Sequence, residues 1–199
     1  MLNALTLPQC GRRYQANAGI LGVEMAPLSR KVRYDLIAEE RYYQQNIQLI
    51  EKIQMTMTLV AVLLLNAIWF GLAFEAFYIR RRVFGKVMVP IREDRENTAY
   101  DALVESGRFM GGFNLALSAL NIALIFNLGG FSTDRQWAML LAFNAIAHAS
   151  QFVGNVPMAL RNRHGEGQWN VFKGVMLRIF VIDFVLMIFN SFIAVMLLV

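Results

Sequence analysis

The sequence predicts an all-α, polytopic integral membrane protein, and two observations support this prediction. Hydrophobic residues make up 57% of the 199 positions and charged residues only 17%, which is too apolar for an ordinary soluble domain. No charged residue interrupts 53–74, 109–133 or 136–160, and each run is at least as long as the roughly 20 residues that cross a bilayer. Because a further apolar segment ends the chain, we expect four transmembrane helices in an antiparallel bundle.

Residues 1–53 are expected to form an extramembrane N-terminal segment, and residues 54–199 the transmembrane domain. Prolines and glycines favour irregular chain in the first half of the segment, where the stretch 14–28 is too short for a span and carries Glu24. From about 35 to 53, apolar residues recur on one helical stripe between charged and amide residues, which is typical of an amphipathic helix. This helix either lies on the membrane or continues directly into the first span.

Signals at the ends of the apolar runs give the approximate limits of the spans. Three arginines at 80–82 end the first span, and Pro90 prevents a helix from continuing beyond it. Asn97 or Thr98 is suited to cap a short amphipathic helix that leads into the second span, which a pair of glycines ends. The four spans are expected at about 54–79, 109–128, 136–160 and 172–199.

The basic residues predict which side of the membrane each loop faces. The loop 80–108 holds seven Lys and Arg residues and the loop 161–173 holds three, whereas the remaining loop holds only Arg135 and the C-terminus none. By the positive-inside rule, the loops 80–108 and 161–173 are cytoplasmic and both termini lie on the opposite side. The basic residues of the N-terminal segment point the other way, but only Arg41 and Lys52 lie close to the first span.

The third span carries the clearest polar pattern in the chain. Its polar residues Asn144, His148, Gln151 and Asn155 are spaced by four, three and four positions. At ~100° per residue this spacing confines them to about 60° of arc on the helix. They therefore form a polar stripe on an otherwise apolar helix.

Two other spans carry similar stripes. Asn114, Ser118 and Asn121 lie on one face of the second span, and Asp183 and Asn190 lie on one face of the fourth. Because acyl chains offer no hydrogen-bond partner, we expect the stripes to turn inward and meet. Counted from the basic ends, a central layer is expected to hold His148, Asn121, Asn66, Asp183, Gln151 and Ser118. Asn114 and Asn155 are expected to form a second layer nearer the basic end.

Asp183 is the costliest of these residues, since an aspartate near a helix centre disfavours insertion by roughly 2.5–3.5 kcal/mol. Its depth matches that of His148, and a hydrogen bond between the two would create a proton acceptor or a ligand site. The structural alternative is a neutral Asp183 that is hydrogen-bonded to Asn or Gln and holds helices together. One membrane histidine gives little support for a metal or haem site, and the sequence does not identify a cofactor.

Glu75 and Arg178 are charged residues near the basic ends of the first and fourth spans. Their positions on the helices do not match the polar stripes, so they cannot face a common centre. Arg178 is expected to reach the headgroups, and Glu75 either to do the same or to meet Arg80 or another subunit. We interpret both as candidate partner contacts. Gly111 and Gly112 in the second span are suited to close helix approach.

Three classes of function can be compared on this basis. An enzyme has the least support, because no nucleophile or oxyanion motif accompanies His148 and Asp183. A small-solute or proton-coupled transporter or channel is the alternative hypothesis, with the polar core as its binding site. The preferred hypothesis is an accessory or scaffolding subunit, whose partners are the lipid bilayer and other membrane subunits or further copies of the chain. Nucleic acid is not expected, since the basic residues cluster beside hydrophobic segments and suit lipid headgroups.

Overall fold

The computed structural model describes residues 30–199, with side chains from Ala38 onward. Within this range all regular structure is helical. A π-helical turn at Glu75–Ile79 follows the first helix, and a 3-10 turn at Glu93–Arg95 precedes the third. The α-helices are α1 (Arg30–Phe74), α2 (Arg81–Met88), α3 (Thr98–Phe126), α4 (Asp134–Arg163) and α5 (Gly174–Met196). The irregular chain expected before residue 30, including the rejected span at 14–28, lies outside the described residues.

The chain divides after Ile53 into two compact units. The second unit, Gln54–Val199, contains the later part of α1 and all of α2 to α5. In the first unit, the described side chains of α1 are mostly exposed, among them Tyr42 and Tyr43. Because α1 runs from Arg30 to Phe74, the amphipathic helix expected at 35–53 and the first span are parts of one helix.

Three stretches are long and apolar enough to cross a membrane: Ala38–Ile79, Thr98–Phe126 and Gly174–Met196. In the most apolar part of each stretch, only 28–33% is buried. Most of the apolar surface therefore faces outward, as in an integral membrane protein. The expected third span, α4, has the necessary length with 30 residues. Its polar stripe makes it less apolar than the other three helices, and it does not meet the same criterion.

Local hydrogen bonds explain where α3 and α4 begin. The side chain of Asn97 accepts a hydrogen bond of 2.8 Å from the backbone N–H of Tyr100 and caps α3. The short helix expected before 109 is therefore the first part of α3 and not a separate element. At α4, Thr133 and Gln136 form a capping box that satisfies backbone donors of the first turn.

Two clusters of buried apolar residues form the hydrophobic core of the second unit. The larger cluster is built from α1, α3, α4 and α5, and it includes Leu63, Leu124, Leu141 and Ile193. The smaller cluster packs Met158 and neighbouring residues of α4 against the loop that follows. These clusters exclude water from the interior of the second unit, which raises the cost of any unpaired polar group there.

The π-helical turn contacts α3 closely. A Cβ atom on Gly111 would lie 2.6 Å from the Cβ of Tyr78, and one on Gly107 would lie 2.8 Å from the carbonyl oxygen of Phe77. Both glycines thus allow a backbone approach that no other residue permits. A Cβ on Gly112 would meet nothing within 4 Å, so the expectation of close approach there was wrong. One residue further along the helix points about 100° away from the contact.

Replacing Gly111 and Gly112 by alanine tests this contact, with the second variant as a matched control. We expect Gly111→Ala to lower the free energy of unfolding in detergent by about 1–3 kcal/mol, because Tyr78 must move. Gly112→Ala should be neutral or stabilising by up to about 1 kcal/mol, owing to the higher helix propensity of alanine. Equal effects of the two substitutions would contradict the contact.

Candidate functional site: the buried polar core

Polar residues from four helices are buried together inside the second unit. Six of them have no exposed surface, and we call these six the polar core. Its members are Asn66 of α1, Asn121 of α3, Asn144 and His148 of α4, and Asp183 and Asn190 of α5. Their spacing along each helix gives them a common face, and that face is turned toward the other helices.

Two reciprocal amide pairs connect the helices. Asn121 and Asn144 each donate an N–H to the other's side-chain oxygen at 3.0 Å, which joins α3 to α4. Asn66 and Asn190 exchange bonds of 2.9 and 3.0 Å, which join α1 to α5. A longer bond of 3.4 Å from Asn66 Nδ2 to Asn121 Oδ1 links the two pairs. The four helices are therefore connected through one continuous hydrogen-bond network.

Backbone carbonyls fix the orientation of the amides. Asn190 Nδ2 donates to the carbonyl oxygen of Leu186 at 2.8 Å, and Asn121 Nδ2 donates to that of Leu117 at 2.9 Å. A carbonyl oxygen only accepts hydrogen bonds, so the atom that faces it must be the amide nitrogen. The assignment of nitrogen and oxygen in both pairs follows from these anchors.

His148 and Asp183 form the ionisable part of the core. His148 Nδ1 lies 3.0 Å from Asp183 Oδ1, and His148 Nε2 lies 3.2 Å from Asn66 Oδ1. The imidazole stacks on Phe70 with a centroid separation of 4.6 Å and an interplanar angle of 11°. Trp69 donates its Nε1–H to Asp183 Oδ1 at 2.8 Å. The carboxyl is thus bonded to histidine and tryptophan, and not to the Asn or Gln of the structural alternative.

One oxygen of Asp183 remains without a partner. Asp183 Oδ2 is buried and has no hydrogen bond among the described residues, whereas Oδ1 receives both Trp69 and His148. A buried carboxyl oxygen without a donor costs free energy. Within the polar core, Asp183 Oδ2 is thus the side-chain oxygen or nitrogen that lacks a described partner.

The other residues of the predicted polar stripes lie outside the polar core, and those with described hydrogen bonds donate to backbone carbonyls. Asn114 Nδ2 donates to the carbonyl of Met110, and Asn155 Nδ2 donates to that of Gln151, both in the preceding turn. These bonds use nearby backbone acceptors, and the expected second layer of Asn114 and Asn155 has no described hydrogen bond between the two side chains. Gln151 and Asn155 are also partly exposed. Ser118 does reach a neighbour, since its hydroxyl donates to the carbonyl of Ala67 in α1 at 2.8 Å.

Glu75 and Arg178 lie outside the polar core. Glu75 pairs with Arg80 at 2.7 Å, and the two side chains are 41% and 60% exposed. Arg178 is exposed on α5 and has no ion-pair partner within the described part of the chain. Neither residue contributes to the geometry of His148 and Asp183.

The polar stripes do not predict that Trp69 and Phe70 belong to this environment. They predict Asn66 in the central layer by its depth, but not as a site residue. Trp69 and Phe70 follow Asn66 by three and four residues, the spacings that put side chains on the same helical face as Asn66. This spacing was the available signal.

The described side chains of the site are suited to hydrogen bonding and proton exchange. Among residues 38–199, no cluster of three or more His, Cys, Asp or Glu side chains is arranged to hold a metal ion. Comparison of the chain with protein-family models, with curated proteins and with solved structures gives no match. The arrangement itself can hold four helices together and can hold a proton between His148 and Asp183.

Two buried asparagines with different partners test the role of the network. Asn66→Ala leaves Asn190 and His148 without their partners on α1, and we expect a loss of about 2–4 kcal/mol in the free energy of unfolding. Asn114→Ala removes only a bond within one helix and should cost about 1 kcal/mol or less. Chemical or thermal unfolding in one detergent measures both variants. Similar losses would mean that bonds between helices contribute no more than local ones.

Proposed function

We propose that this chain is a four-helix integral membrane protein that acts as an accessory or scaffolding subunit of a larger membrane assembly. One observation carries the proposal. The amides of the polar core are bonded to each other across four helices and have no exposed surface. Groups used in this way cross-link helices and are not free to line a path for a solute.

The contact between α4 and α5 supports a fourth span. Asp183 lies near the middle of α5 and His148 near the middle of α4, and the two side chains are bonded at 3.0 Å. If α5 crosses the bilayer, His148 lies at the same depth. A helix of 30 residues is about 45 Å long, which exceeds the hydrocarbon thickness of about 30 Å. Asn144 and His148, which belong to the polar stripe of α4, bond to other helices in the same bundle.

The outer surface supports contact with lipid and with other membrane helices. Phe109, Phe113 and Phe126 on α3 are 75%, 74% and 82% exposed. Arg178 on α5 is exposed without an ion-pair partner in the described chain, so a carboxylate of a partner subunit would complement it. Glu75 is a second charged group at the helix surface, and its exposed pair with Arg80 is weak enough to exchange for another partner.

The two basic loops support one orientation of the bundle relative to the membrane. Lys86 and Pro90 of the first loop line the same groove as Trp169 and Lys173 of the loop after α4. Both basic loops therefore belong to one end of the second unit. We propose that this end faces the cytoplasm, in agreement with the positive-inside rule, and that the C-terminus lies on the opposite side.

Isolation from native membranes in mild detergent tests the accessory role. We expect a complex of defined stoichiometry by native mass spectrometry, in which Arg178 is paired with a carboxylate of a partner subunit. Charge reversal in Arg178→Glu should reduce the fraction of assembled protein without changing its unfolding, whereas Arg163→Glu, at an exposed arginine in the last turn of α4, should not. Recovery of a lone monomer in every preparation would refute the proposal.

The second candidate function is transport or binding of a proton or small solute in the polar core. It is favoured by Asp183 Oδ2, which is buried without a hydrogen-bond partner in the described chain. Single variants of His148 and Asp183 in proteoliposomes separate the two candidates. Loss of uptake with intact assembly favours transport, while loss of assembly or stability alone favours the structural role.

A further inference from the structure

We infer that His148 and Asp183 form a binding site for one proton, held between His148 Nδ1 and Asp183 Oδ1. This inference deepens the second candidate function by naming its ligand. It also holds for a chain that only scaffolds, because it concerns the state of the pair and not the movement of a solute. One backbone group fixes the direction of the hydrogen bonds in the polar core.

This backbone group is the carbonyl of Leu186. It accepts from Asn190 Nδ2, which therefore is the amide nitrogen. The same nitrogen donates to Asn66 Oδ1 at 3.0 Å, while Asn190 Oδ1 accepts from Asn66 Nδ2 at 2.9 Å. A rotated Asn66 amide would set nitrogen against nitrogen and oxygen against oxygen. The atom of Asn66 that faces His148 is consequently an oxygen.

This oxygen determines the tautomer of His148. Asn66 Oδ1 can only accept, so His148 Nε2, at 3.2 Å, must carry a hydrogen and donate it. A neutral imidazole with a hydrogen on Nε2 has a lone pair on Nδ1. The stacked ring of Phe70 lies against the imidazole and opposes the ring flip that would place carbon atoms where the two nitrogens now contact Asp183 and Asn66.

A proton must then lie between Nδ1 and Asp183 Oδ1, which are 3.0 Å apart. It belongs either to a carboxylic acid that donates to neutral histidine or to an imidazolium that donates to a carboxylate. Both forms contain the same number of protons and give the pair no net charge. If the proton leaves, two lone pairs face each other and one negative charge remains at two fully buried side chains.

The hydrogen-bond partners of the pair in the described chain come from α1. They are Trp69 and Asn66 from α1, and Asn66 is bonded in turn to Asn121 of α3 and Asn190 of α5. None of these groups carries a charge. Within the described part of the chain, no Lys, Arg, Glu or Tyr side chain is hydrogen-bonded to His148 or Asp183.

The shared proton also explains why residue 183 is an aspartate in a core otherwise rich in asparagine. Oδ1 accepts from Trp69 and shares a hydrogen with His148 Nδ1. An amide oxygen at that position would meet the lone pair of Nδ1, and an amide nitrogen would meet the N–H of Trp69. Only a carboxyl group, as an acid or as the partner of an imidazolium, satisfies both neighbours.

A double-mutant cycle tests this requirement. Asp183→Asn should raise the unfolding equilibrium constant on the order of tenfold or more, because one contact is left mismatched. Adding Trp69→Phe removes the competing N–H, so the amide nitrogen can donate to His148 Nδ1. The double variant should therefore be more stable than Asp183→Asn alone. A simple loss of two hydrogen bonds predicts the opposite, and a double variant no more stable than Asp183→Asn overturns the inference.

Trp137→Phe combined with Asp183→Asn is the control, because Trp137 is also buried and lies about 16 Å along α4 from His148. Its effect should add to that of Asp183→Asn without rescue. Nitrogen-15 NMR of the unsubstituted full chain supplies a measurement that does not depend on variant folding. The chain has two histidines, and His164→Gln assigns the signals. A protonated Nε2 and one proton shared between Nδ1 and Oδ1 support the site. An unprotonated Nε2, or a pair without that proton, overturns it.

Discussion

A polar group in hydrocarbon has no solvent to bond with, and this constraint governs the arrangement of the second unit. Each of the four long helices contributes at least one fully buried polar side chain to the core. Rotating any of these helices by one residue, about 100°, would turn its buried polar side chains away from the other helices and leave their partners unpaired. Apolar packing between these helices would tolerate many rotations, but the hydrogen bonds tolerate few.

The sequence was informative wherever periodicity alone decides. Spacing of three, four and seven residues was enough to identify which polar side chains share a helical face, and depth was enough to bring His148 together with Asp183. The hydrogen-bond partner of each side chain could not be predicted from the sequence. Asn114 bonds to its own helix while Asn121 bonds across to α4, and a carbonyl one turn away is available to both. That difference depends on distances between helices, which no pattern in one helix contains.

The polar core combines two properties that are usually found apart. Its asparagines are neutral and mutually bonded, which suits a permanent cross-link. Its single carboxyl group lies beside the one buried histidine, is bonded through one oxygen and retains a second oxygen without a partner. The rigid amide network sets the tautomer and position of the imidazole, so the structural and the ionisable parts are linked through Asn66.

The most direct measurement places a paramagnetic label at the middle of the acyl chains and observes the side-chain amide signals of the asparagines in a bilayer. If the polar stripes converge, the signals of Asn66, Asn144 and Asn190 should be protected from the label and from exchange with water. Asn127, an exposed residue that follows α3, supplies the accessible reference. Strong broadening of the Asn66, Asn144 and Asn190 signals by the lipid label would show that these residues face the hydrocarbon, and would contradict the account.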